Sequence, residues 1–188
     1  MSDTILIILA VLGGIAGVVL IGGLIWAVSV SNRFSRKSVK IEEALSGIEA
    51  ALTKRYDTLS KMVEVARSYC QHELDTMNSV VRLRKGMDVK ALADSAGRIS
   101  EVENSVQVLA EAYPELRSNT VFDELQKGIR ETEEHLQAAR RLYNANVSSY
   151  NQMLSVFPSS LIGNFRGLTE KEFFTAEGFR TGDGEINL

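Results

Sequence analysis

Residues 5–30 of the chain read ILIILAVLGGIAGVVLIGGLIWAVSV, without a charged side chain or a proline. As an α-helix this stretch would be about 39 Å long, against a bilayer hydrocarbon core of about 30 Å. A helix also satisfies its backbone N–H and C=O groups internally, as the bilayer interior requires. The sequence therefore predicts one membrane-spanning helix at 5–30, after a short tail at 1–4.

A cleaved signal peptide is the main alternative for this stretch. Signal peptides have a basic N-terminal region and an apolar run of about 7–15 residues. The tail here reads MSDT, which has no basic side chain, and the apolar run is much longer. The pattern therefore favours a retained anchor.

The charge next to the predicted span indicates its orientation. The segment SNRFSRKSVK at 31–40 carries four basic side chains and no acidic one, and basic flanks stay in the cytoplasm. We expect a single-pass protein of the bacterial inner membrane, with its N-terminus outside and its C-terminal domain cytoplasmic. The same side chains are candidate contacts for anionic lipid head groups, each worth on the order of 1 kcal/mol: Arg33, Arg36, Lys37 and Lys40.

Small residues inside the span form a candidate helix-association face. Gly13 and Gly17 have GxxxG spacing, and Ala10 and Gly14 form a second pair of small residues four apart. Such pairs let two helix backbones approach closely, although glycine is common in spanning helices generally. We therefore expect a homo-oligomer, with this face as the candidate contact.

The composition and the motifs argue against several kinds of binding site and against catalysis. A net charge of −3 from 21 basic and 24 acidic side chains gives no electrostatic reason to expect a nucleic-acid partner. The single cysteine, Cys70, excludes an intramolecular disulfide and is expected to be a buried, inert thiol. His72-Glu73 begins a run like the zinc motif HExxH, but Thr76 stands at the second histidine position. Because phosphate-binding glycine motifs and nucleophile motifs are also missing, we predict no catalytic, cofactor-binding or metal site, and no enzyme activity.

After the span, apolar residues recur every three or four positions, which is the spacing of packed α-helices. The first predicted helix covers 38–85, and the second runs from an N-cap at Asp88 to Pro114. The third begins with a cap formed by Thr120 and Asp123 and ends before Pro158. Its acidic cluster, Glu131, Glu133 and Glu134, is expected to be a solvated face, in which Lys127 can pair with Glu131 and Arg130 with Glu134.

Two short helical segments are predicted beyond the third helix. The first is 159–165, closed by Gly167, and the second starts at a capping box formed by Thr169 and Glu172. The expected fold is all-α: a single N-terminal transmembrane helix, then an elongated antiparallel helical bundle of three long helices plus short C-terminal helices. The predicted domains are an extracytoplasmic tail at 1–4, the span at 5–30, a cytoplasmic helical bundle at 31–179 and a disordered tail at 180–188.

The third predicted helix contains a repeated Tyr-Asn pair, within ARRLYNANVSSYNQMLSVFP at 139–158. Tyr143-Asn144 and Tyr150-Asn151 are seven residues apart, so both pairs lie on one helix face. An unpaired buried amide or phenol costs about 1–3 kcal/mol, so these groups need partners. Two interpretations stay open: a hydrogen-bond network that fixes helix register, and a partner-binding surface of aromatic and amide side chains.

This stretch resembles the LemA family. The similarity runs through AEAYPEL at 110–116, FDELQ at 122–126, the whole of 131–158 and EFF at 172–174. The residues of the family motif, expected in the core or on a partner surface, are Arg141, Tyr143, Asn144, Val147, Tyr150, Asn151, Phe157 and Pro158.

The first soluble helix also fits the family, with Arg55, Asp57 and a run from Tyr69 to His72-Glu73. One departure lies at 60–63, where the sequence is Ser-Lys-Met-Val and family members usually have Pro-Asn-Leu-Val. Without that proline, the first helix should be straighter.

The resemblance implies a single-span membrane protein with a cytoplasmic, all-helical domain and no established enzyme activity. The expected function is a membrane-anchored, non-catalytic structural or adaptor protein that self-associates. It would present a helical surface to protein partners at the inner membrane and would contact membrane lipid. The alternative is a membrane-remodelling or curvature-forming oligomeric scaffold.

Overall fold

A computed structural model describes residues 2–69 and 87–175, with the side chains of 2–9 and 11 outside the description. Within these ranges the structure contains no β-strand, which confirms the all-α class. The helices are α1 (Ser2–Arg67), α2 (Val89–Ala112), α3 (Pro114–Arg117), α4 (Thr120–Ser155) and α5 (Ser159–Phe165).

Helix α1 is a single element of 66 residues that contains the whole predicted span and continues beyond it to Arg67. It ends at Arg67, and residues 68 and 69 form a turn, so the predicted helix does not run unbroken past this point; its remainder, from 70 to 85, lies outside the described residues. At this end, both the backbone N–H and the hydroxyl of Ser68 donate to the carbonyl oxygen of Val65, at 3.2 and 2.7 Å. These local bonds close a turn in place of the next helical hydrogen bond.

The expectations for Cys70 and for His72-Glu73 lie outside the described residues. So does the predicted disordered tail at 180–188.

Helix α2 has the predicted limits. The Asp88 carboxylate accepts a hydrogen bond from the backbone N–H of Ala91 at 2.7 Å, which is an N-cap. The helix ends at Ala112, just before Pro114. The proline then begins the one-turn helix α3, where its fixed φ suits the first helical position. The segment at 114–119, between the second and third predicted helices, is therefore partly helical.

Helix α4 is capped by Asn119 rather than by the predicted Thr120. The Asn119 side-chain oxygen accepts hydrogen bonds from the N–H groups of Val121 and Phe122, at 2.9 and 3.1 Å. Asn is a stronger N-cap than Thr. Asp123, expected to take part in the cap, instead accepts a hydrogen bond from Lys127 at 2.6 Å.

Helix α5 has the predicted bounds, and Gly167 beyond it has a φ of +64°. This left-handed conformation favours glycine. The predicted capping box at Thr169 and Glu172 is wrong, because residues 168–175 are not helical. Part of this segment is hydrogen-bonded to α4, as described below.

The described residues divide into two compact units. The first consists of residues 2–40 and 148–171. In it, the rings of Phe34 and Tyr150 meet edge to face with centroids 5.7 Å apart. One turn further along α1, Lys37 contacts Ser149, so α1 and α4 run antiparallel here.

The second unit consists of residues 41–69, 87–147 and 172–175. The α1–α4 pair is antiparallel here too: Arg55 contacts Glu133, and Thr58 lies beside Gly128. The core is formed mainly by apolar side chains spaced three or four residues apart on α1, α2 and α4, with Leu116 added from α3. Its fully buried larger side chains are Ile48, Leu52, Met62, Leu92, Ile99, Val106, Leu116, Phe122, Leu136 and Val147.

Candidate functional site

The four basic side chains after the predicted span differ in their surroundings. Arg33, Arg36 and Lys40 are exposed, whereas Lys37 is half-buried. The Lys37 ammonium group donates a hydrogen bond to the Ser149 hydroxyl on α4. Lys37 therefore also joins two helices of the first unit, while the exposed guanidinium groups face solvent.

The candidate association face on α1 is open. Ala10, Gly13 and Gly14 are exposed, and Gly17 is half-buried. A Cβ atom added to any of the three glycines would meet no atom of the described residues within 4 Å. Within the described part of the chain, this face has room for a second helix.

The large apolar side chains around this face are also exposed. Val18 is 72% exposed and Leu20 is 68% exposed. By length and composition, α1 is the one described helix able to cross a membrane. Contiguous apolar surface of this extent normally marks contact with lipid or protein.

In the second unit, the first Tyr-Asn pair binds the backbone of the C-terminal segment. The Asn144 amide donates to the carbonyl oxygen of Phe174 at 3.1 Å and accepts from the Phe174 N–H at 2.8 Å. The Tyr143 hydroxyl donates to the carbonyl oxygen of Glu172 at 3.0 Å. Burial raises the pKa of the Tyr143 phenol, and the Glu172 carboxylate raises it further, so the phenol stays a neutral donor.

The Phe174 side chain is held in the same place. It is 4% exposed, and the Arg140 guanidinium lies over its ring, 5.1 Å from the centroid. This is a cation–π contact. Burial lowers the pKa of Arg140; the Glu133 carboxylate opposes that shift, and the charge of Arg55 adds to it.

In the first unit, the side-chain amide of Asn151 binds backbone in the same way as that of Asn144. The Asn151 side chain donates to the carbonyl oxygen of Lys171 and accepts from the Lys171 N–H, both at 2.9 Å. Its neighbour Tyr150 is buried against Phe34. Burial raises the pKa of Tyr150, and the positive charge of Arg166 opposes the shift.

The other residues of the family motif divide between core and surface. Val147 is fully buried, whereas Arg141, Phe157 and Pro158 are exposed. The Phe157–Pro158 peptide bond is cis. Phe157 continues the apolar spacing of α4 and is 75% exposed, so of the two expected places it lies on the surface.

A buried charge cluster was missed by the sequence interpretation. Arg55 is 5% exposed and its guanidinium lies 2.6 Å from Glu103 on α2 and 2.6 Å from Glu133 on α4. It also donates to the Ser100 hydroxyl at 3.2 Å. The Glu133 contact is an ion pair by distance, without an aligned hydrogen bond. The available signal was an arginine next to the apolar stripe, three residues after Leu52.

This cluster corrects the expectation that all three acidic residues at 131–134 lie on a solvated face of α4. Glu133 is half-buried against Arg55 rather than part of a solvated face, whereas Glu131 and Glu134 are exposed as expected. In residues 2–69 and 87–175, His, Cys, Asp and Glu side chains form no group of three or more that would hold a metal ion.

Comparison with known proteins places these features in one family. The profile of the LemA family matches residues 44–187. This region includes Arg55, both Tyr-Asn pairs and the segment that they bind. A curated relative from Metamycoplasma hominis, named Protein LemA, is 23% identical over 150 residues, which cover 77% of this chain and 68% of the relative. The chain is thus a member of the LemA family.

Proposed function

We propose that this chain is a membrane-anchored, non-catalytic structural or adaptor protein that self-associates. It presents a helical surface to protein partners at the bacterial inner membrane. The observation that carries the proposal is the exposure of the apolar half of α1. The side chains from Leu12 to Val28 that are large and apolar have 39–72% of their surface exposed.

A lipid bilayer is the environment that best suits this exposed apolar surface. The uncharged stretch at 5–30 is long enough to cross the hydrocarbon core. Its helix continues into the soluble domain without a break. The basic side chains that follow, including the exposed Arg33 and Arg36, favour a cytoplasmic domain. Digestion of that domain by a protease added to intact spheroplasts would contradict the orientation.

Self-association is supported by the open glycine face of α1. In membranes, small residues let helices approach closely enough for van der Waals contact, which replaces the hydrophobic driving force available in water. The Gly13/Gly17 pair has that spacing and no described neighbour within 4 Å of an added Cβ. This face is the proposed contact between copies.

The test compares full-length variants in lipid nanodiscs, by cross-linking and by single-molecule counting. We expect the double variant Gly13→Leu/Gly17→Leu to lose the oligomer. Gly22→Leu is the matched control, because Gly22 lies about 160° around the helix from that pair, and it should keep the oligomer.

Two results would overturn the proposal. A wild-type protein that is monomeric in gentle detergent and gives no cross-links in cells would exclude self-association. An oligomer unchanged by Gly13→Leu/Gly17→Leu would exclude the glycine face. Cryo-tomography of cells that overproduce the chain checks the remaining alternative, since tubes or ordered arrays would favour a curvature-forming scaffold over an adaptor.

A further inference from the structure

Exposed apolar side chains surround the corner between α4 and α5. Phe165 is 92% exposed, Phe157 is 75% exposed, and Val156 and Leu161 are 57% and 56% exposed. Leu161 and Phe165 are four residues apart in α5, so they lie on the same side of that helix. We call these four residues the α5 apolar patch.

The hydrogen bonds and packing of the first unit fix the position of this patch along α1. Arg166, next to Phe165 in sequence, donates from its guanidinium to the carbonyl oxygen of Ser31 at 2.9 Å. Ser31 is the first residue after the predicted span. On its other side α5 meets α1 closely, because a Cβ at Gly163 would lie 3.4 Å from the Phe34 ring. The patch therefore lies at the level where the span ends.

At this level the solvent is neither water nor hydrocarbon. Aromatic side chains are enriched at the boundary of a bilayer, and apolar faces of short amphipathic elements bury there among head groups and upper acyl carbons. The exposed Arg33 and Arg36 on the neighbouring part of α1 suit the phosphate groups of the same layer. A phospholipid interface offers a partner to both groups, since the aromatic side chains can bury among the upper acyl carbons and the cations can contact the phosphate groups.

We propose that the α5 apolar patch inserts into the phospholipid interface beside the C-terminal end of the span. The α4–α5 corner is then a second, peripheral membrane contact. Phe157 and Phe165 lie among the glycerol groups and upper acyl carbons. This inference rests on the proposed membrane anchor, and its test is built to separate the two.

The test places one tryptophan at a time in the full-length chain, reconstituted in vesicles of phosphatidylcholine and phosphatidylglycerol. Trp26, the single native tryptophan, is first replaced by Phe. The probe variant is Phe165→Trp. The matched control is Val39→Trp, because Val39 is also exposed and apolar. It is also in α1, about 12 Å further along the helix axis than Ser31, which places it beyond the head groups.

Emission is recorded with lipids brominated on upper acyl carbons and with aqueous iodide as competing quenchers. The expected result is a blue-shifted emission from the Phe165→Trp variant that brominated lipid quenches strongly and iodide quenches weakly. The Val39→Trp variant should show the reverse order. A carbonate wash of the same vesicles reports whether the span is inserted.

Each contrary result has a definite meaning. Strong iodide quenching of the Phe165→Trp variant in carbonate-resistant vesicles overturns the inserted patch and leaves the anchor standing. A blue-shifted emission that neither quencher reaches also overturns it, since the patch is then covered by a second copy. Release of the chain by carbonate overturns the anchor, and the insertion with it.

Discussion

The buried guanidinium of Arg55 gives the sharpest test of how the second unit is held together. Arg55→Met keeps most of the side-chain volume but removes the cation that Glu103 and Glu133 share, and Glu133 keeps only its charge interaction with Arg140. Breaking a buried ion pair on one side costs about 3–5 kcal/mol. The side chains of these two glutamates are 16% and 30% exposed, so water relieves part of that cost. We therefore expect a loss of about 3 kcal/mol, at the low end of that range.

This loss is large enough to measure by thermal unfolding of the full-length chain in detergent, followed by circular dichroism. For a chain of this size, about 3 kcal/mol corresponds to a fall in Tm of about 6–12 °C. The triple variant Arg55→Met/Glu103→Leu/Glu133→Leu is the matched control. It removes the whole charge cluster, and apolar replacement of a complete buried ion-pair group is often neutral or stabilising.

The two variants together decide whether the cost comes from uncompensated charge. We expect the triple variant to regain most of the Tm lost in the single variant. A triple variant as unstable as Arg55→Met would show that lost packing, rather than the loss of the shared cation, causes the destabilisation. A single variant with an unchanged Tm would refute the structural role of Arg55 altogether.

Two further predictions concern the first Tyr-Asn pair. Asn144→Ala removes two hydrogen bonds to the backbone of Phe174, each worth about 1 kcal/mol, so amide hydrogen exchange at Phe174 should become about 30-fold faster. Asn144→Asp, which keeps only the acceptor, should give an intermediate rate, and an unchanged rate in both would contradict the amide contact. The raised folded-state pKa of Tyr143 favours the neutral phenol in the native state, so its stabilising contribution is complete below the unfolded pKa of about 10 and is lost as pH rises through the folded value. Denaturant unfolding across this alkaline range should therefore show that the free energy of unfolding falls less steeply with pH in Tyr143→Phe than in the wild type. If the free energy falls equally steeply in both proteins, the raised pKa of Tyr143 is contradicted.

Local signals were sufficient to predict some elements from the sequence. Helix α2 begins after Asp88 and ends just before Pro114 because a cap and a proline act on the backbone within one helical turn. The bounds of α5, with Gly167 beyond it, follow in the same way. The buried residues on α1 and α4 were also predictable. Apolar residues recur every three or four positions on the helix face that packs against the core, and this spacing can be read from the sequence.

Predictions failed where distant residues or competing local bonds decide the structure. The sequence Thr169 to Glu172 resembles a helix start. Yet the backbone of Lys171, within this segment, is hydrogen-bonded to the Asn151 side chain. The backbone of Phe174, just after it, is hydrogen-bonded to the Asn144 side chain. A backbone partner has no sequence signature, so the Tyr-Asn pairs were recognised as groups that need partners while the partners were not identified. The end of α1 at Arg67 was missed because the Ser68 hydroxyl competes for a helical carbonyl group.

If the Gly13/Gly17 face is the contact between copies, as proposed, the unbroken course of α1 makes the number of residues between it and the buried Val30/Phe34 face a structural constraint. At about 100° of rotation per residue, the Gly13/Gly17 face and the Val30/Phe34 face point about 100° apart. One residue inserted between Gly17 and Val30 would turn them to the same side, where α5 would stand in the way of a second helix. Many apolar sequences would span the bilayer equally well, but helical phase allows only certain lengths here.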